Sequence, residues 1–154
     1  MAPPENTTTL NDIAGDGLVI VGLEGIAVKK EFEQNMPPVS DDGSSIWKAI
    51  CHLGLEITAA SPTKVIYKTR IEGNAQKIEM YRDGKPMPDD ALQFFKYLFD
   101  EIARRKTKWP CYTRDCLIAA QYLQDNSGRI CLENLASCRY TVRITVEIPL
   151  PAQK

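Results

Sequence analysis

The residues of this chain that could do chemistry start with its single histidine, His52, next to Cys51. A thiol becomes a strong nucleophile when an imidazole reaches it. Neighbours on a helix point about 100° apart, so these two cannot pair with each other. With no second histidine in the chain, a multi-histidine metal site is out of reach and a histidine-based hydrolase has no support. His52 reads as an ordinary structural or surface residue. Cys111-x4-Cys116 and Cys131-x6-Cys138 bring four thiolates, the number a structural zinc needs, but neither spacing is the two-residue knuckle. Small buried side chains are the simpler account. Gly15-x-Gly17 and Gly22-x-x-Gly25 look like phosphate loops only in composition, because no strand leads into the first and no helix follows the second. No close carboxylate pair falls on one face with an apolar wall to split its pKa values. The expectation is therefore no cofactor, no metal and no enzymatic activity, since no nucleophile, base and oxyanion donor can be assembled.

The residues best suited to meet a partner are basic. Arg104, Arg105, Lys106 and Lys108 sit beside Trp109, with Tyr112 and Arg114 just beyond, and Lys64, Lys68 and Arg70 extend the set along a strand. Basic groups neutralise phosphates without regard to sequence, and interleaved aromatics stack on bases or sit among lipid headgroups. Helix C-termini are also basic for dipole reasons alone. Charge is unevenly placed: residues 1–45 carry eight acidic against two basic side chains, and the remainder 12 acidic against 17 basic. A mildly basic body with an acidic leading segment can meet phosphates or anionic lipid, and the same charges also simply solvate a surface. Pro37-Pro38-Val39-Ser40 reads as a loop, with a docking motif as its sharper reading.

These residues need a scaffold, and 154 residues suffice for one core without metal or disulfide. Hydrophobic residues at 44% and charged residues at 25% exclude a chain disordered throughout. Five cysteines, an odd number, with no secretory signal ahead of them, read as free thiols in a reducing compartment, cytosol or nucleus. The apolar run Leu18 to Val28 is too short for a membrane span and carries Glu24. Residues 1–16 read as a flexible acidic tail and 17–151 as one globular domain. Within it, Leu18 to Phe32 reads as a long strand bent at Gly22 and Gly25. Ser44 or Ser45 opens a short helix with Ile46, Ile50 and Leu53 on one face, ended by Gly54.

Lys64 to Ile71 and Gln76 to Arg82 alternate as two strands of a hairpin around Gly73-Asn74, with Asp83-Gly84 as the next turn. Asp89 to Lys106 repeats Ala91, Leu92, Phe95, Leu98, Phe99 and Ile102 at helical spacing, and residues 114–125 form a second, shorter helix. Tyr140 to Ile148 alternates cleanly as a strand with one buried face. The fold class is α+β, with helices packed on a largely antiparallel sheet.

From Ile26 onward the order of features resembles the globular domain of rhabdovirus matrix proteins. A strand leads to the short helix Lys48-Ala49-Ile50-Cys51-His52-Leu53-Gly54. A Thr58-Ala59 turn follows, then a strand closing on Glu72-Gly73, and later the strand Tyr140-Thr141-Val142-Arg143-Ile144-Thr145-Val146. The resemblance implies a non-enzymatic viral structural protein of virion and host cytoplasm. Such a protein self-associates, contacts nucleoprotein or RNA, and touches an anionic membrane peripherally. The chain departs from that pattern in lacking a lysine cluster in the tail and the tyrosine of a Pro-Pro-x-Tyr signal, and residues 83–130 have no counterpart. The alternative is a small nucleic-acid-binding regulator, such as a viral silencing suppressor or host-directed effector, using the same basic residues.

Overall fold

Thr9 and Asp12 open the first helix with a reciprocal cap. The Thr9 hydroxyl accepts from the Asp12 amide at 3.3 Å, and the Asp12 carboxylate accepts from the Thr9 amide at 3.1 Å. From there Leu10, Ile13, Ala14, Gly17, Leu18 and Val21 recur every three or four residues, and all are buried. This stripe makes α1 (Leu10–Gly22). It overturns the expectation of a strand over residues 18–22 and places residues 10–16 in a helix rather than a tail. The β-branched run Val19-Ile20-Val21 favours a strand locally, but the cap and the period of the buried face outweigh that preference.

The computed structural model describes residues 8–39, 44–87, 128–136 and 139–150, together with Asp89, Leu92, Ala119 and residues 121–123. After α1 come β1 (Ala27–Phe32), α2 (Ser44–Ala59), β2 (Lys64–Glu72), β3 (Ala75–Arg82), β4 (Arg129–Asn134) and β5 (Val142–Pro149). The five strands form one sheet in the order β1-β2-β3-β5-β4. β1 lies parallel to β2, across the α2 crossover, and the other three pairings are antiparallel. The expected α+β class with a largely antiparallel sheet is what the chain forms. α2 runs five residues past Gly54, so that glycine lies inside the helix and Thr58-Ala59 are its last residues, not a turn. Asp89, Leu92, Ala119 and residues 121–123 are helical, while the rest of the helices expected over 89–106 and 114–125 lie outside the described residues. No described helix is long and apolar enough to cross a membrane.

Both helices cover one face of the sheet. Val65, Tyr67 and Thr69 of β2, Ile78 and Met80 of β3, and Val142, Ile144, Val146 and Ile148 of β5 point into that layer and are buried. The loop expected to display Pro37-Pro38-Val39 is instead tied down. Val39 is buried and its amide donates to the Thr8 carbonyl at 2.8 Å, and Met36 is buried beside it in the core.

α1 and α2 cross where each carries a glycine. A Cβ on Gly17 would stand 2.8 Å from Ile50 Cγ2, and one on Gly54 would meet Tyr67 Oη and Val21 Cγ2, each at 3.6 Å. Tyr67 lies beneath the crossing, fully buried, and its hydroxyl has no hydrogen-bond partner among the described residues. Burial pushes that phenol well above its ordinary pKa. A buried unpaired hydroxyl is destabilising by about 1–3 kcal/mol. Tyr67→Phe, which removes only that oxygen, is therefore expected to leave the melting temperature unchanged or raise it, and a clear loss in a thermal melt would show that the hydroxyl has a partner in solution.

Candidate functional site

Charge enters the layer between helices and sheet at the end of β3. Gln76, Ile78, Met80 and Arg82 share the helix-facing side of that strand, so the side chain of Arg82 goes inward and is 4% exposed. Its Nη1 donates to the carbonyls of Asp83 (3.0 Å) and Lys85 (2.8 Å), and Nη2 lies 3.4 Å from Met87 Sδ. Burial lowers the guanidinium's pKa, and the charges of Glu56, on α2, and of Asp83 raise it. The turn after β3 thus folds around the guanidinium, with Gly84 in a positive-φ conformation at 95°.

The turn is held from outside as well. The Asp83 carboxylate accepts from the Thr63 amide at 2.7 Å, the Lys64 amide at 3.2 Å and the Thr63 hydroxyl. The Met87 amide donates to Asn134 Oδ1 at 2.8 Å, and Asn134 Nδ2 returns a bond to the Met87 carbonyl at 2.9 Å. The Thr141 amide donates to the Arg82 carbonyl at 2.8 Å. One turn therefore joins the start of β2, the end of β3, the end of β4 and the approach to β5. Burial pushes the Asp83 carboxyl up, but the bonds from Thr63 and Lys64 and the Lys64 charge outweigh it and hold the group below its ordinary 3.8. A carboxyl with a lowered folded-state pKa adds stability above its unfolded pKa and loses it as pH falls through the folded value. Asp83→Asn should accordingly flatten the acid limb of the stability profile below about pH 4, read from denaturant midpoints at stepped pH; an unchanged slope would remove Asp83 from the acid response.

The opposite face of the sheet, which no described helix covers, carries a ladder of charge. Glu79, its side chain 7% exposed, lies 3.0 Å from Arg70 Nε and 3.6 Å from Arg143 Nη1, and accepts from the Tyr81 hydroxyl at 3.1 Å. Arg143 reaches on to Glu133 at 2.8 Å, and Arg70 to Glu72 at 2.8 Å. Lys68 pairs with Glu31 at 3.4 Å and sits over the Tyr81 ring, and Lys64 sits over Tyr140, each ammonium 5.1 Å from the ring centroid.

So Lys64, Lys68 and Arg70 do share one face, as their alternation on β2 implies, but Lys68 and Arg70 are matched by carboxylates from neighbouring strands. Arg104, Arg105, Lys106, Lys108, Trp109 and Arg114 lie outside the described residues. His52 stacks on Tyr122 with centroids 6.0 Å apart. Cys51 and Cys131 are free thiols, and burial raises the pKa of each; Cys111, Cys116 and Cys138 lie outside the described residues. Among the described residues no cluster of histidine, cysteine and carboxylate side chains could hold a metal ion. The inward Arg82 escaped notice in the sequence, although a charged residue in phase with Ile78 and Met80 is a legible sign of a buried cation.

No protein-family model matches the sequence, and no curated protein does. Solved structures match strongly. The catalytic domain of the histidine kinase ThkA, in a nucleotide-free form, superposes with a TM-score of 0.70 at 16% identity, covering 92% of each chain. The mycobacterial sensor histidine kinase MprB gives 0.70 at 15% identity over 94% of this chain and 97% of that one. The histidine kinase domain of the E. coli osmosensor EnvZ gives 0.69 at 16% identity over 100% and 94%.

This likeness corrects the sequence reading. The rhabdovirus resemblance rested on a helix, a hairpin and an alternating strand, which are α2, β2 with β3, and β5, elements that many α+β folds share. With it fall the viral structural and RNA-binding roles, the silencing-suppressor alternative, and nucleoprotein, RNA or membrane as partners. The expectation of a non-enzymatic fold falls too, because the matched domains are those of kinases. At these identities the shared property is the fold: this chain has the architecture of the histidine kinase catalytic domain.

Proposed function

We propose that this chain is a phosphotransfer signalling domain of the histidine kinase type, which acts by docking a response-regulator partner. The observation that carries the reading is the superposition over more than nine tenths of both chains on several such domains. ThkA has been solved in complex with the response regulator TrrA, and this chain matches 41% of that kinase. There the fold is one module of a longer signalling protein.

Phosphorylation by a histidine kinase needs an acceptor histidine. The single histidine here, His52, is half-buried on α2 with its ring stacked on Tyr122, a poor position for in-line attack on a phosphoryl group. The acceptor histidine is therefore carried by another domain or protein, and this domain supports the transfer.

The test is direct binding of the purified chain to response-regulator domains encoded by the same genome, followed by isothermal titration. A 1:1 complex with at least one of them, at micromolar dissociation constant, is expected. If the full set fails to bind at 100-fold higher concentration than that, the reading is wrong.

A further inference from the structure

Among the described residues the exposed large apolar side chains are Val19, Leu23, Val28, Trp47, Leu55 and Ile71. All but Ile71 belong to the helix layer or adjoin it. Val19 and Leu23 are one turn apart at the end of α1, and Trp47, the half-buried Cys51 and Leu55 follow one another at four-residue spacing on α2. Val28 borders the end of α1, its Cγ2 3.6 Å from where a Cβ on Gly22 would stand. Single exposed apolar residues are ordinary, whereas a contiguous patch marks a place of interaction.

The patch is a groove between two helices. Gly17 faces Ile50 and Gly54 faces Val21, so α1 and α2 run side by side in the same direction, as close as glycines allow. Leu23 and Leu55 each lie just beyond the second of those contacts, at the same end of the groove. Its margin is acidic. Residues 9–28 contain Asp12, Asp16 and Glu24 but no lysine or arginine, and Asp16 and Glu24 are exposed. Burial and then the charge of Asp16 raise the pKa of the Cys51 thiol, which puts that carboxylate on the groove. Neither helix has a basic residue in its last turn, so both bring the negative ends of their dipoles to the end where Leu23, Glu24 and Leu55 sit. Lys48 of α2 turns elsewhere, its ammonium 5.6 Å from the centroid of the Tyr122 ring.

A seam between two parallel helices accepts the ridge of a third, and apolar anchors at helical spacing are how an amphipathic helix is held. The acidic margin selects a helix with lysine or arginine beside its apolar stripe. A second copy of this chain fits less well, because a two-fold contact sets the same carboxylates against each other. We infer that the outward face of α1 and α2 docks a basic amphipathic helix of a partner protein, its apolar side on Trp47, Leu23 and Leu55 and its cations against Asp16, Glu24 and the two helix C-termini. Such docking is separate from the response-regulator binding proposed above and does not depend on it.

The probe is a synthetic helix with leucines at i, i+3, i+4 and i+7 flanked by lysines, beside a twin in which every lysine is glutamate, each titrated calorimetrically into the full chain. Saturable 1:1 binding of the lysine peptide at micromolar dissociation constant is expected, with the glutamate twin at least about tenfold weaker. Leu23→Ser and Leu55→Ser should each weaken the lysine peptide by about tenfold, the effect of taking a leucine out of an apolar contact. Glu24→Lys should weaken it severalfold at low salt and less at high salt, and Ile71→Ser should leave it unchanged. Leu23 is 80% and Leu55 47% exposed, so both variants should fold, and melting temperatures within a few degrees of the wild type would confirm that lost binding is a lost contact.

No binding of either peptide, equal binding of both, or full affinity in both leucine variants would overturn the inference. So would a wild-type dimer in sedimentation equilibrium that Leu23→Ser dissolves, since a second copy would then cover the patch. Failure of regulator docking with peptide binding intact would strike the signalling role alone.

Discussion

Arg82→Ala should destabilise the domain by about 3–5 kcal/mol, because it empties a buried site and takes the donor from two carbonyls of the turn. Two losses combine. The carbonyls of Asp83 and Lys85 lose their donor. The space under the turn also empties, because the guanidinium is what Gly84 and Met87 pack around. A domain of this size holds roughly 5–15 kcal/mol in all, so the variant should melt at least about 10 °C lower. A loss under about 1 kcal/mol, in a range typical of surface changes, would mean that the corner is open to solvent.

Gly17→Leu is the second large effect, and its mechanism is overpacking. Gly17 is buried at the crossing of α1 and α2, where a Cβ alone would come within 2.8 Å of Ile50 Cγ2 and 3.6 Å of the Tyr67 ring. Ile50 and Tyr67 are themselves fully buried, so neither can swing aside and the helices must separate. Leucine is the better helix former by nearly 1 kcal/mol, yet overpacking of this kind is destabilising by about 1–3 kcal/mol and here exceeds it. Gly15→Ala makes the comparison sharp. A Cβ there meets nothing nearer than Phe32 Cε2 at 3.9 Å, so the gain in helix propensity stands alone and should stabilise by about 0.5–1 kcal/mol. Denaturant midpoints of the two variants should move in opposite directions, and movement in the same direction would place the helix crossing elsewhere.

How much of this was legible in the sequence depended on whether the signal was local. The last strand β5 was readable because its apolar residues alternate strictly, and the hairpin of β2 and β3 because theirs largely do and Gly73-Asn74 marks the turn. α1 was not read. Its opening lies in a stretch rich in Thr, Asn and Asp, and Gly15, Gly17 and Gly22 look like breakers until Gly17 is seen to admit Ile50. The signal was present nonetheless, in Thr9-x-x-Asp12 ahead of Leu10, Ile13 and Ala14. β4 offers only Ile130 and Leu132 as an inward pair, too few to distinguish a strand from a loop. Of the site, the outward position of Lys64, Lys68 and Arg70 followed from alternation, but their pairing with Glu31 and Glu79 depends on strand order, which a single sequence does not display.

The order β1-β2-β3-β5-β4 also has a kinetic consequence. β2 and β3 join through a two-residue turn, and such a hairpin closes in microseconds. The central pairing of β3 with β5 instead brings Arg82 to Val142 and Ala75 to Pro149, so the chain must close a loop of roughly sixty residues before that ladder returns any enthalpy. Until residue 142 is available, β3 is an edge strand whose inward side, Ile78 and Met80, has no neighbour on that flank. During synthesis the first half of the domain therefore leaves the ribosome with a sticky margin, and its yield in a cell should depend on how quickly the second half follows or on a chaperone that guards the margin meanwhile.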